Sequence, residues 1–246
     1  MATALLIVLS MLQAGASVAT GRRQAPGPTR DAMGFGASGP LLNYLVLGDS
    51  TAAGVGAPYD QGIAVGTAVE LGRSHQVTMW NAAVSGARIR DVSDSQLPDA
   101  LTRVRPDLVL LSVGANDVTH LTPIPSMRAR LRAIVRRLRA VNPDVRIVIT
   151  GSPDMGSPPR IPWLLRGIAS LRARMVNRMF RAEVEQQSLA FAPIAEVTGP
   201  MFRRDRTLFD HDRFHPNARG YAEWITVLNE ALRGAYSRPP ARSAGS

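Results

Sequence analysis

Ser50 ends an apolar run and is enclosed by small residues, in the stretch LNYLVLGDSTAAGVGA (residues 42–57). A serine hydroxyl is a weak nucleophile unless a base removes its proton, and that base must be oriented by a third group. His215 is the candidate base and Asp212 the candidate orienting carboxylate, because they lie three residues apart on a turn before a predicted helix. The sequence therefore contains the parts of a Ser-His-Asp triad.

Pro216 directly follows the candidate base. Proline suits the first position of a helix, so we expect His215 to lie near a helix N-terminus. The partial positive charge there would disfavour the protonated imidazole and help to keep the base neutral, while Asp212 acts in the opposite direction.

An attack on a carbonyl carbon also needs hydrogen-bond donors for the negative oxygen that forms. The backbone N–H of Ser50 is one candidate, and the side-chain NH₂ of Asn116 is another. Gly86 is a third, because a residue without a Cβ allows its backbone N–H to approach a substrate closely. These three residues are the predicted oxyanion donors.

The elements that must position these residues alternate between strand and helix patterns, which indicates an α/β fold with a parallel sheet covered on both faces. The intervening helical patterns are long enough for crossover connections. We therefore predict a single domain with five parallel strands and helices on both faces. The strands are expected at residues 41–47, 77–82, 108–113, 145–150 and 189–192, and the main helices at 62–71, 126–141, 164–187 and 216–232.

Ligands of such sheets bind outside the carboxyl ends of the strands. Ser50 follows the first predicted strand, Gly86 the second and Asn116 the third, while Asp212 and His215 precede the last helix. All five residues are thus expected at one edge of the sheet.

Four sequence blocks, Gly48-Asp49-Ser50, Gly86, Gly114-x-Asn116-Asp117 and Asp212-x-x-His215, resemble those of the SGNH or GDSL-type serine hydrolases. The resemblance covers residues 43 to about 232, with Thr51 in place of the leucine of the namesake motif. It implies a flavodoxin-like sheet and hydrolysis of small-molecule or lipid esters through an acyl-serine, with no metal or other cofactor. Removal of acetyl groups from carbohydrate by the same machinery is the alternative function.

Competing sites fit the sequence less well. Residue 52 is Ala, so the G-x-S-x-G motif of α/β-hydrolases is absent, and Ser85 is a weaker candidate nucleophile. Asp210, His211, Asp212 and His215 could ligate a metal, but they are crowded into one loop with no second cluster. The G-x-G-x-x-G match at residues 34–39 has no strand before it, so it is not a dinucleotide site.

The composition is strongly basic, with a net charge of +10, and all 29 positive charges are arginines because the chain has no Lys. In residues 127–141 the arginines lie opposite an apolar helical face, which is typical of a solvated surface helix. A non-catalytic Arg-rich protein that binds nucleic acid or the cell envelope is the third hypothesis. We expect no specific nucleic-acid partner but allow weak attraction to an anionic envelope surface.

The composition of the two ends of the chain predicts an export signal, a linker and a tail. Residues 1–19 are apolar and end in small residues, which indicates a signal peptide or an uncleaved anchor and a secreted or cell-envelope location. Residues 20–40 are predicted to be a Gly/Pro-rich linker, residues 41–235 the hydrolase domain, and residues 236–246 a disordered tail.

A proline-rich segment at residues 156–168 follows the fourth predicted strand and ends in large apolar residues. Ile161, Trp163, Leu164 and Leu165 are placed there at the start of a helix. They either pack that helix on the sheet or form an apolar wall for the acyl chain, and Ile161, Trp163 and Leu164 are the predicted substrate contacts.

Overall fold

The computed structural model describes residues 32–237, which form an α/β domain around a mainly parallel sheet. The strands run in the spatial order β1-β3-β2-β4-β5-β6, with β1 antiparallel to β3 and all other neighbours parallel. They are β1 (Met33–Phe35), β2 (Leu41–Gly48), β3 (Gln76–Asn81), β4 (Leu108–Ser112), β5 (Arg146–Ile149) and β6 (Ala190–Phe191). The five predicted parallel strands are confirmed as β2 to β6, and the structure adds a sixth at the edge.

The added strand corrects the linker predicted at residues 20–40. Phe35 pairs with Val77, and the chain then reverses through Gly36 and Gly39, which have φ angles of +76° and +98°. A Cβ at either glycine would lie 2.2 Å from a backbone oxygen, so only glycine allows this reversal. The glycines that suggested a flexible segment instead fold β1 onto the edge of the sheet.

Both faces of the sheet are covered by helices. The helices are α1 (Ile63–Leu71), α2 (Ile89–Asp91), α3 (Leu97–Leu101), α4 (Ala115–Thr119), α5 (Ile124–Val141), α6 (Trp163–Gln186), α7 (Ile194–Arg204) and α8 (Ala218–Ser237). Along β2, Leu45 and Leu47 face a core shared with α5 and α6, whereas Tyr44 and Val46 face a second core shared with α1, α7 and α8. This arrangement confirms the predicted doubly covered sheet.

Two boundaries differ from the predictions. Helix α8 extends to Ser237, so residues 236 and 237 belong to the domain and not to a tail. Helix α7 was not predicted, because Gly199 and Pro200 interrupt its pattern. The predicted signal peptide or anchor, most of the predicted linker and residues 238–246 lie outside the described residues. No helix within residues 32–237 is long and apolar enough to cross a membrane.

A π-helical turn, Val92–Gln96, joins α2 to α3 and turns the Gln96 side chain toward the end of β2. The backbone N–H of Gly48 donates to Gln96 Oε1 at 3.0 Å, and Gln96 Nε2 donates to the Gly48 carbonyl at 2.8 Å. Gln96 is buried, and its amide takes the place of a neighbouring strand at this point. π turns of this kind often occur at functional sites.

We expect Gln96→Leu to lower the free energy of unfolding by about 2–3 kcal/mol, because it removes two buried hydrogen bonds and leaves the Gly48 N–H without a partner. Urea denaturation would measure this loss. Ser95→Ala, an exposed substitution in the same π turn, should leave stability nearly unchanged. Equal stability of the two variants would contradict the assigned role.

Candidate active site

The nucleophile turn is built on a backbone position that only glycine can occupy. Strand β2 ends at Gly48, whose φ is +152°, and a Cβ there would lie 1.9 Å from the Ser112 carbonyl oxygen of β4. The Asp49 N–H donates to that same oxygen at 3.0 Å. The chain therefore turns sharply against the neighbouring strand and leaves Ser50 at the carboxyl edge of the sheet.

The structure brings Ser50, His215 and Asp212 together. His215 Nε2 lies 2.8 Å from Ser50 Oγ, and His215 Nδ1 lies 2.5 Å from Asp212 Oδ2. The tautomer that donates from Nδ1 to the carboxylate leaves the Nε2 lone pair directed at the serine hydroxyl. Because both Ser50 and His215 are buried, these hydrogen bonds are shielded from bulk water.

Asp212 is held in its ionised form. Burial is the largest single influence and raises the pKa of Asp212. It is outweighed by the attraction of the imidazole and by hydrogen bonds from the His215 side chain and from the backbone N–H groups of His215 and Phe214. The net result is a pKa of about 2. The carboxylate therefore stays charged at neutral pH and can stabilise a protonated imidazole.

The base does not lie at the start of a helix, in contrast to the expectation from Pro216. Pro216 forms an isolated β-bridge with Phe209, and α8 begins two residues later. The side chain of Asn217 accepts from the Gly220 N–H at 3.1 Å and so caps the first turn. His215 is instead positioned by Asp212 and by Gly56, where a Cβ would lie 2.9 Å from the His215 Cβ.

The three predicted oxyanion donors lie on segments that meet at the carboxyl edge of the sheet. Among residues 32–237, the backbone N–H groups of Ser50 and Gly86 donate to no other group. Gly86 has a φ of +82°, which glycine adopts without strain. Asn116 is the second residue of α4 and lines the same cavity as Ser50 and His215.

Two neighbouring side chains fasten the Gly86 loop to α4. Asn116 Nδ2 donates to the Ala87 carbonyl at 3.0 Å, and the Ile89 N–H donates to Asp117 Oδ2 at 3.0 Å. On the other side of the loop, the Val84 N–H donates to the Gly48 carbonyl at 3.1 Å. The loop that carries Gly86 is thus held between the nucleophile turn and the Asn116 helix.

Two fully enclosed carboxylates adjoin the site without touching the hydroxyl of Ser50. Burial raises the pKa of Asp49 to about 6, although Thr51 donates to it from both its backbone N–H and its hydroxyl. Burial also raises the pKa of Asp117, the carboxylate that holds the Gly86 loop. The contact of Asp117 with the Gly86 loop and the contacts of Asp49 were not predicted from the sequence, since no spacing pattern reveals which backbone and hydroxyl groups a buried Asp accepts from.

A cavity of about 30 Å³ opens beside Ser50 and His215. Its walls come from the loop after β5, from α7 and from the segment around the triad histidine. Large apolar side chains dominate the lining, namely Met155, Phe202, Phe209, Phe214 and Trp224. An apolar group of a few atoms fits this space beside the nucleophile.

The predicted substrate contacts do not line this cavity. Ile161 is buried in the core with Met155 and Leu165. Trp163 and Leu164 are 76% and 68% exposed at the start of α6. Ser85, the weaker candidate nucleophile, is exposed and makes no side-chain hydrogen bond within the described residues.

Comparisons with a family model and with a curated protein both point to one family. Residues 46–223 match the model of the GDSL-like Lipase/Acylhydrolase family. The chain is 31% identical over 201 residues to the GDSL-like esterase Rv1075c of Mycobacterium tuberculosis, a match that covers 79% of this chain and 62% of that relative. The chain therefore spans less than two thirds of the length of this relative.

Solved structures share the fold at low sequence identity. The crystal structure of TesA superposes with a TM-score of 0.65 at 20% identity, covering 78% of this chain and 99% of TesA. A family 3 carbohydrate esterase of Clostridium thermocellum gives a TM-score of 0.61 at 16% identity, with 80% and 98% of the two chains covered.

The family model covers most of the described domain and includes Ser50, Gly86, Asn116, Asp212 and His215. The chain belongs to the GDSL-like Lipase/Acylhydrolase family.

Proposed function

We propose that this protein hydrolyses carboxylic esters through an acyl-enzyme intermediate on Ser50. The observation that carries the proposal is the continuous hydrogen-bonded chain from Ser50 Oγ through the His215 imidazole to Asp212, with distances of 2.8 and 2.5 Å. A nucleophile, a base and an orienting carboxylate in this order are the requirements for acyl transfer.

In the first half-reaction Ser50 Oγ attacks the ester carbonyl carbon while its proton moves to His215 Nε2. The imidazolium that forms is stabilised by the Asp212 carboxylate. His215 then returns the proton to the leaving alcohol oxygen as the C–O bond breaks. In the second half-reaction water replaces the alcohol, and the carboxylic acid is released with the proton restored to Ser50.

The oxyanion of each tetrahedral intermediate would accept hydrogen bonds from the N–H groups of Ser50 and Gly86 and from Asn116 Nδ2. Asn116 uses one N–H to bond Ala87, which leaves its second N–H for the substrate. Because the Gly86 loop is fastened on both sides, these donors need no rearrangement when charge develops.

The lining of the cavity favours an apolar ester over an acetylated carbohydrate. Sugar hydroxyls require several free polar partners. Asp154, the carboxylate that lines this cavity, already accepts from Ser170 and Arg203. The remaining walls of the cavity are largely aromatic and aliphatic. We therefore place simple or lipid esters before acetylated carbohydrates as substrates.

We expect Ser50→Ala to abolish hydrolysis of p-nitrophenyl esters while leaving the fold intact, because the hydroxyl is the site of covalent attachment. A fluorophosphonate probe should label the unmodified protein at Ser50, as read by peptide mass spectrometry. Ser85→Ala is the matched control and should retain both labelling and activity. Labelling at Ser85, or turnover by Ser50→Ala, would refute the proposal. Faster hydrolysis of acetylated xylan than of p-nitrophenyl butyrate would favour the carbohydrate alternative.

Asn116→Ala should lower kcat by about 10²- to 10³-fold with little change in KM, because it removes an oxyanion donor that acts mainly in the transition state. Asp117→Ala loosens the Gly86 loop but keeps the Asn116 donor, so it should cost less kcat. Steady-state kinetics on p-nitrophenyl butyrate would compare them. Equal losses in kcat would show that Asn116 acts only by holding the loop.

Stability should depend on the protonation of Asp49. Its pKa is raised in the folded protein to about 6 from an unfolded value of 3.8, so the folded state binds more protons than the unfolded state between these values. The free energy of unfolding should therefore rise as pH falls through this window. Asp117 contributes in the same direction, whereas Asp212, with its lowered pKa, contributes the opposite slope only below the window.

Asp49→Asn keeps an oxygen that can accept from Thr51 but carries no charge. We expect this variant to be more stable than the unmodified protein at neutral pH and to show a flatter dependence of stability on pH. Urea denaturation at about pH 4 and about pH 7 would measure both effects. An unchanged slope with lower stability at neutral pH would contradict this account of Asp49.

A further inference from the structure

Helix α6 carries apolar side chains on two faces. One face, which includes Leu165, Val176 and Phe180, is buried against the sheet. The opposite face carries Leu164, Ile168, Leu171 and Met175, which are 68%, 42%, 52% and 45% exposed. Their spacing of four, three and four residues places them in one line, called here the outer stripe.

This exposure is concentrated in one place. Twelve large hydrophobic residues are exposed within the described chain, and five of them, Trp163 and the outer stripe, fall within thirteen residues. Helix α5 shows the usual arrangement, in which buried Leu131 and Leu138 face the core and arginines face outward. A contiguous apolar patch on a soluble domain marks a site of interaction.

The charged residues of the segment that carries the outer stripe all have one sign. Residues 160–181 contain six arginines and no Asp or Glu. Arg174 and Arg178 are exposed and lie one turn from Leu171 and Met175. Within residues 32–237 neither of these two arginines forms a salt bridge. The stripe is therefore bordered by two arginines that pair with no carboxylate of the described residues.

The segment that leads into the outer stripe is bonded to the loop that carries the triad histidine. The Arg160 N–H donates to the Arg213 carbonyl at 3.0 Å, which joins the segment before α6 to the triad loop. Arg172 donates to the Thr122 carbonyl, close to Leu121, an exposed residue that follows the Asn116 helix. Trp163 thus lies at the same edge of the sheet as the mouth of the cavity.

We propose that the outer stripe, with Trp163, Arg174 and Arg178, binds the surface of an anionic phospholipid bilayer, with α6 lying in the plane of the interface. Apolar residues flanked by arginines match an acyl region bordered by anionic headgroups, whereas a carboxylate-rich protein partner would not require the apolar line. Trp163 suits the headgroup level because its ring is amphipathic.

Binding to the bilayer does not require the ester chemistry. The consequence for function, that the cavity mouth is held against amphiphilic esters in the membrane, rests on the proposed function. The two can be tested separately, because vesicle binding is measured on Ser50→Ala and hydrolysis on a soluble ester.

The test uses the full chain carrying Ser50→Ala and sedimentation with phosphatidylglycerol vesicles. The triple variant Ile168→Ser/Leu171→Ser/Met175→Ser should reduce the partition coefficient at least tenfold. Val69→Ser/Val141→Ser/Val197→Ser, three exposed valines on other helices, is the matched control and should bind normally. Residues 1–19 are the same in every variant, so any contribution they make to vesicle binding cancels from the comparison.

Charge is tested in the same way. Each arginine near an anionic surface strengthens partitioning about fivefold, so Arg174→Gln/Arg178→Gln should weaken binding well over tenfold. Arg73→Gln/Arg103→Gln, with the same loss of net charge near the opposite edge of the sheet, should have little effect. Vesicles of phosphatidylcholine should bind the unmodified surface weakly.

Brominated lipids should quench the fluorescence of Trp163, and the quenching should disappear in Trp163→Phe, which keeps the other two tryptophans. Unchanged vesicle binding by the triple serine variant, or absence of this quenching, would overturn the proposal.

A dimer in solution that the triple variant converts to monomer, without vesicle binding, would instead assign the stripe to a second copy of the chain. Hydrolysis of p-nitrophenyl butyrate by the triple variant in the active background verifies its fold, and loss of that activity together with a lowered Tm would show that the stripe belongs to the core.

Discussion

The backbone of Gly48 is the constraint on which the site depends. Its contact with the Ser112 carbonyl leaves no room for a side chain, and its N–H and carbonyl are bonded to Gln96 instead of to another strand. The same carbonyl accepts from Val84 in the Gly86 loop. One residue therefore fixes the direction of the nucleophile turn and the distance from that turn to the loop of an oxyanion donor.

Near this point the fold buries ionisable groups, and their burial opposes stability. Burial raises the pKa of Asp49 and Asp117, so their ionised forms cost free energy in the folded state, and His215 is fully enclosed beside Ser50. The cost is offset by the two apolar cores on either side of the sheet. Enclosure also strengthens each hydrogen bond that the site uses, because the local dielectric constant is low.

The sequence predicted the parallel strands and the location of Ser50 and Asn116 after them, because uninterrupted apolar runs end where the polar residues begin. His215 was identified from its spacing to Asp212 before the last helix. It did not reveal β1, since the glycines of a tight reversal have the same composition as a flexible segment. Gln96 was missed because a side chain that bonds to backbone across the fold leaves no local pattern. The helix expected at Pro216 begins later, since Pro216 pairs with Phe209 and Asn217 supplies the cap.

Helix α6 shows why apolar content alone misled the assignment of substrate contacts. Trp163 and Leu164 were expected to face the core or the acyl group, but one helix cannot present all of its apolar residues to a single sheet. Leu165 and Val176 fill the inward face, so Leu164 and Leu171 remain 68% and 52% exposed. Polar residues at those positions would preserve the core and improve solubility. Their apolar character is therefore explained by contacts outside the domain, and the unneutralised arginines beside them give those contacts a preferred charge.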